Sequence, residues 1–207
     1  MKLKLWKKSE RDRKAFVSLN DELWGVLSAR TLQSFLYPVP CELEISEDDA
    51  QILQKALRDV AWWEVTDYLA KAEHSSHQCR ALLARRFYHE SIIRKCLELC
   101  SEKGYLDDSR FAEILIHSLV ERGKSKRAII AKLREQRLPS SLYEPLLEQL
   151  YDPKENASRL TEEISKLLFK YRELPKPSQK DKVFTSLYRK GFDLDDISAA
   201  WHQARKS

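Results

Sequence analysis

Glycine is scarce in this chain: four in 207 residues, at Gly25, Gly104, Gly123 and Gly191. A loop that cradles phosphate through its backbone needs several glycines close together. Neither a P-loop nor a dinucleotide fingerprint can be assembled, and nucleotide-driven enzymology is disfavoured. No apolar run approaches the roughly 18 residues of a membrane span, and the lysine-rich start lacks the apolar segment of a secretory signal, so a cytoplasmic protein without a membrane partner is expected. Cys41, Cys79, Cys96 and Cys100 show no Cys-x-x-Cys spacing. In a non-secreted chain they read as free buried thiols. His74, His77 and Cys79 offer three candidate ligands in a polar stretch with no distant matching pair, which falls short of a zinc site. The titratable residues show no convergent nucleophile and base, so neither an enzyme nor a cofactor is expected.

What is present is ordinary globular material, 43% hydrophobic and 33% charged, with a net charge of +5 that is unevenly spread. Residues 1–14 carry seven basic against two acidic groups, residues 15–79 four against eleven, and residues 80–137 fourteen against eight. Such a split suits a partner of mixed sign, or a polyanion met by the middle of the chain. The bland alternative is solvated helix surface. Residues 1–14 read as a basic tail that adds non-specific affinity for nucleic acid.

Ala15 to Leu19 and Glu22 to Leu27 read as two strands around the turn-prone pair Asn20-Asp21. A short helical piece at 31–36, the segment Tyr37-Pro38-Val39-Pro40 and a third strand over 42–45 complete a small β-containing cap, 15–45. From Ser46, with Asp49 three residues on as an N-terminal capping pair, the chain reads as helix. Leu82-Leu83, Phe87, Ile92 and Cys96, then Leu133, Leu138, Tyr143 and Leu147, then Leu187, Phe192, Ile197 and Trp201, repeat one spacing of +5, +5, +4. Periods of 51 and 54 residues predict a long helix followed by two short ones, three times over. The long helices fall at 47–71, 107–122 and 153–174. The short pairs fall at 76–86 with 89–102, 125–136 with 139–150, and 179–190 with 193–205. The fold class is mainly α: tandem three-helix repeats at 46–104, 105–151 and 152–207, forming an elongated curved array with a small N-terminal β-hairpin cap. Phe87, Leu138 and Phe192 are expected at equivalent buried turn positions.

Between the first two repeats stands Gly104-Tyr105-Leu106-Asp107-Asp108-Ser109-Arg110-Phe111-Ala112, where glycine ends one helix and the aspartates cap the next. This stretch resembles the signature of the RecX family, bacterial modulators of the RecA recombinase built from tandem three-helix repeats. Lys190-Gly191-Phe192 resembles the Lys-Gly-Phe turn of the family's repeats, and Leu82-Leu83-Ala84-Arg85-Arg86-Phe87 its first-repeat version. The chain departs at Arg86, where the family usually has Gly, and at Arg137-Leu138, where it usually has Gly-Ile. It reads as a divergent member over roughly residues 65–205.

The resemblance implies a non-enzymatic, monomeric regulator. It would lie in the groove of a RecA–DNA filament, touch several RecA protomers and the DNA, and hinder recombinase, ATPase and coprotease activity in DNA repair and the SOS response. Residues 122–137 hold seven basic residues and only Glu135 as an acid, and on a helix Lys124, Arg127 and Arg134 share a face opposite Ile129 and Leu133. With Arg85, Arg86, Arg94 and Lys95 of the first repeat they are the candidate RecA- and DNA-binding residues. Trp62-Trp63 reads as packing between repeats rather than a base-stacking platform. The alternative function is a DNA-binding transcriptional regulator of helix-turn-helix-like units, which needs base-reading side chains at the start of a recognition helix. A passive peptide scaffold would instead show a concave apolar groove.

Overall fold

The structure, a computed structural model, describes residues 1–205. Residues 206 and 207 of the expected third repeat lie outside the described residues. The chain divides into two units, Met1–Asp108 and Ser109 onward.

The first unit opens with a strand. β1 (Lys2–Trp6) pairs antiparallel with β2 (Lys14–Leu19) and with β4 (Cys41–Glu44), and β3 (Glu22–Ser28) pairs with β2, so the sheet order is β3-β2-β1-β4. The expectation of a basic tail is corrected here. In Lys-Leu-Lys-Leu-Trp the leucines alternate with the lysines, so Leu3 and Leu5 are buried on one face while Lys2 and Lys4 reach Glu42 on the other. Net charge masked that period-2 pattern. The cap is a four-stranded sheet rather than a hairpin with one added strand. Asn20 and Asp21, at φ +51° and +62°, form the two-residue hairpin turn whose twist matches its strands. A short helix, α1 (Ala29–Ser34), links β3 to β4.

Three helices follow: α2 (Glu47–Leu69), α3 (Ser76–Arg85) and α4 (Glu90–Glu102). Ser46 caps α2 through Asp49 N–H, ahead of a first turn carrying Glu47, Asp48 and Asp49, the charge that a helix N-terminus favours. Sheet and helices share one core in which Leu3, Leu5, Val17 and Leu27 meet Leu53, Leu57, Leu83 and Ile92. Gly25 permits that approach: a Cβ there would lie 2.8 Å from Leu57 Cδ2 and 3.1 Å from the Tyr88 ring.

The second unit holds α5 (Asp108–Glu121), apart from its first residue, which closes the first unit, with α6 (Lys126–Glu135) and α7 (Ser140–Leu150), then α8 (Pro153–Lys170), α9 (Lys176–Arg189) and α10 (Leu194–Ala204). Each trio has its own buried cluster, around Ile129, Leu133 and Tyr143 in one and around Ile164, Leu187 and Ile197 in the other.

The turns between short helices explain the repeat. Each ends its helix with a left-handed residue, Phe87 (φ +67°), Arg137 (φ +55°) or Gly191 (φ +94°). The next residue then donates its N–H five positions back, Tyr88 to Leu83, Leu138 to Leu133 and Phe192 to Leu187, and is buried. This is the Schellman arrangement, which satisfies carbonyls that the helix end orphans. Tyr88, not Phe87, is therefore the equivalent of Leu138 and Phe192, and Phe87, not Arg86, takes the glycine position. The first repeat reads Leu83, Tyr88, Ile93, Leu97, with the same +5, +5, +4 spacing one residue later. Doubled apolar pairs at 82–83, 87–88, 92–93 and 96–97 fit both registers, and the left-handed residue decides between them.

Candidate functional site

The candidate residues divide between the units: Arg85, Arg86, Arg94 and Lys95 in the first, Lys124, Arg127 and Arg134 in the second. On α6, Ile129 and Leu133 are buried while Arg127, Ala131 and Arg134 are exposed, the face that helical geometry requires. Ser125 begins the helix, accepting from Ala128 N–H, and is itself buried because its hydroxyl donates to the Gly191 carbonyl at 2.6 Å.

That contact changes the reading of Arg127. Its Nε donates to the same Gly191 carbonyl at 3.2 Å, its other end pairs with Asp193 at 3.2 Å, and its guanidinium lies 5.1 Å from the Tyr188 ring. Arg127 is thus tied to the α9–α10 turn, with side-chain surface still open to solvent. Arg134 is less engaged, its Nε 3.4 Å from the Tyr143 hydroxyl. Lys124 precedes α6 and lines a hollow of about 230 Å³ with Arg122, Arg159, Lys166 and Lys190, interleaved with Glu121, Glu162 and Glu163. Sequence reasoning missed these partners from α8 and α9, although Lys190 stands in the Lys-Gly-Phe turn that marks the third repeat.

In the first unit, Arg94 faces its i+4 neighbour Glu98 and Lys95 is exposed beside it. Arg85 and Arg86 close α3, where cations oppose the negative helix end. Arg86 reaches towards Glu64 at 3.9 Å, and both arginines border a hollow against the β1–β2 connection.

The Gly-Tyr-Leu-Asp-Asp joint does structural work. Gly104 (φ +71°) ends α4, and Leu106 is buried in the first core. Asp108 accepts from Ser76 N–H at 2.7 Å and from Ser76 Oγ at 2.6 Å, so this carboxylate caps the N-terminus of α3. Ser75 completes that end with a capping box through Gln78. Trp62 lies 6.1 Å from the Tyr105 ring, whereas Trp63 is 72% exposed and so cannot be core.

Cys41 is half-buried rather than buried, while Cys79, Cys96 and Cys100 are buried, and burial pushes Cys79 up to about 12 and Cys96 and Cys100 to about 11, which disfavours their thiolates. His74 stacks on Tyr68 with centroids 3.6 Å apart and meets Gln78, and among the described residues no group of three or more acidic, His or Cys side chains is placed to hold a metal ion. No helix among them is long and apolar enough to cross a membrane.

The family model described as "RecX, second three-helix domain" matches residues 107–144, from the Asp-Asp joint to the middle of α7. The regulatory protein RecX of Halorhodospira halophila is 33% identical over 100 residues, 48% of this chain and 60% of that protein. The RecX protein of Vibrio parahaemolyticus is 28% identical over 64% of this chain and 83% of its own length. A crystal structure of regulatory protein RecX superposes with a TM-score of 0.66 over 99% of this chain and all of that one, at 19% identity. RecX from Lactobacillus salivarius gives 0.62 over 72% of this chain and 97% of that one, at 18% identity. These likenesses point one way: the chain is similar to regulatory proteins of the RecX family and shares the fold of their solved structures.

Proposed function

We propose that this protein is a non-enzymatic, cytoplasmic regulator that binds the RecA recombinase on DNA and inhibits its ATPase, strand exchange and coprotease activities. The observation that carries the reading is the likeness to RecX regulatory proteins, on a fold whose chemistry-bearing side chains serve helix caps and repeat contacts. Exposed cations on α4 and α6, Arg94, Lys95 and Arg134, suit phosphates and acidic protein surfaces. The helix-turn-helix alternative is disfavoured by α10, whose first turn carries Asp195 and Asp196 where a recognition helix would approach phosphate.

The test is RecA ATPase on single-stranded DNA with and without this protein, at several salt concentrations. Inhibition that weakens with salt is expected, and an unchanged rate at saturating protein refutes the proposal. Because Arg127 holds the α9–α10 turn, the contact is tested by replacing Arg94, Lys95 and Arg134 together with Ala. These variants should remain helical by circular dichroism and inhibit less. Wild-type inhibition by the triple variant would move the contact elsewhere.

A further inference from the structure

At Phe87 the backbone adopts a conformation that its side chain opposes. Its φ of +67° is the left-handed position that Gly191 fills in the last repeat and Arg137, at φ +55°, in the second. An L-residue there bears a steric penalty that glycine does not. Core packing does not account for an aromatic side chain at this position, because Tyr88 fills the buried position of this turn while Phe87 remains 44% exposed. Its ring meets Phe16 edge-on at 5.3 Å, and Phe16 stacks on Trp6 at 5.3 Å.

Phe16 and Phe87 line a hollow of about 330 Å³ at the junction of the sheet with α3. Five cations share its wall, Lys8, Arg13 and Lys14 from the sheet side and Arg85 and Arg86 from α3, against the carboxylates Asp12 and Glu64. Lys8 Nζ already lies 5.2 and 5.0 Å from the two ring centroids. Aromatic faces among cations are the means by which proteins hold unpaired bases. The cations come from two elements rather than one point, which suits a strand passing through with a phosphate on either side of a stacked base. A free nucleotide would gather its phosphates on one side, and a paired base has no free face to offer.

We propose that this hollow binds an unpaired base of a single-stranded polynucleotide, stacked on Phe87 with its flanking phosphates held by Lys8, Arg13, Arg85 and Arg86. The site needs no RecA and goes beyond the function proposed above. It is tested on the full chain alone by fluorescence anisotropy of a labelled oligothymidylate, with a duplex of equal length and free thymidine monophosphate as competitors. Phe87→Gly should stay folded, with a melting temperature at or above wild type, yet bind the single strand about 5- to 100-fold more weakly, the contribution of one stacked base. Its salt slope should be unchanged, because no charge is removed, whereas Arg85→Ala should lower the slope. Phe87→Trp should keep the affinity. Should the glycine variant not fold, Phe87→Leu decides, since it keeps bulk but no aromatic face. A folded glycine or leucine variant with wild-type affinity overturns the proposal. So does an equal loss on duplex, or competition by the mononucleotide as effective as by the strand.

Discussion

A single methyl group distinguishes two glycines that look alike in the sequence. Gly104 has φ +71° and nothing within 4 Å of a built Cβ, whereas Gly191 has φ +94° and would place its Cβ 2.9 Å from Ala128 Cβ and 3.0 Å from Ser125 Oγ. Gly104→Ala bears only the left-handed penalty, about 1–2 kcal/mol. Gly191→Ala adds overpacking and loss of the turn against α6, for about 2–4 kcal/mol in all. Urea denaturation of both variants checks the ranking, and equal losses would mean that the Gly191 carbonyl contacts with Ser125 and Arg127 do not depend on close approach. Arg137 occupies the same turn position in the second repeat at φ +55° and is exposed, so a side chain is tolerated there.

At the level of elements, the helices are held as much by their ends as by their faces. Asp108 opens α5 in sequence but caps α3 in space, so its removal orphans the Ser76 N–H and hydroxyl. Asp108→Ala should cost about 1–3 kcal/mol, the penalty of leaving partly buried donors without an acceptor. Asp108→Asn should recover part, since one amide oxygen still accepts. Hydrogen exchange at the start of α3 should speed up in the alanine variant, and unchanged protection there would show that solvent replaces the carboxylate without loss. The same geometry leaves little of Asp108 to serve a partner.

For the whole molecule, stability against pH follows from its buried thiols. The folded state raises Cys79 from its ordinary value near 9 to about 12, and Cys96 and Cys100 to about 11. A thiol whose folded pKa is raised favours folding in its neutral form. Its contribution is complete below pH 9 and is lost as pH climbs through the folded values. Urea midpoints should therefore carry no thiol-dependent slope from pH 6 to 8 and should fall above 9, and Cys79→Ala should remove its share of that fall. A thiol-dependent slope below pH 8 would show that these groups ionise more readily than their burial allows. The charge asymmetry also belongs to this scale: part of the basic excess of residues 1–14 is folded onto the sheet, where Lys2 and Lys4 meet Glu42, so it acts as a patterned surface and not as a free polycation.

Helix positions, their spacing and the family likeness were legible from sequence, because they rest on local rules: apolar residues recurring at 3.6, Ser46 before its helix, and Gly104 after another. The exposed face of α6 followed from the same period. Three things were decided only by tertiary structure. β1 was hidden because alternation over five residues is weaker than seven lysines and arginines in fourteen, and only pairing with β2 and β4 on both sides reveals it. The first repeat's register was ambiguous because its apolar residues come in pairs, and it is settled by which residue can turn left-handed while its neighbour packs beneath the sheet. Arg127 and Asp108 were assigned to a partner face and to their own helix because sequence carries no distance. Arg127 meets Gly191 across 64 positions and Asp108 meets Ser76 across 32, and contacts of that separation exist only once the repeats have packed.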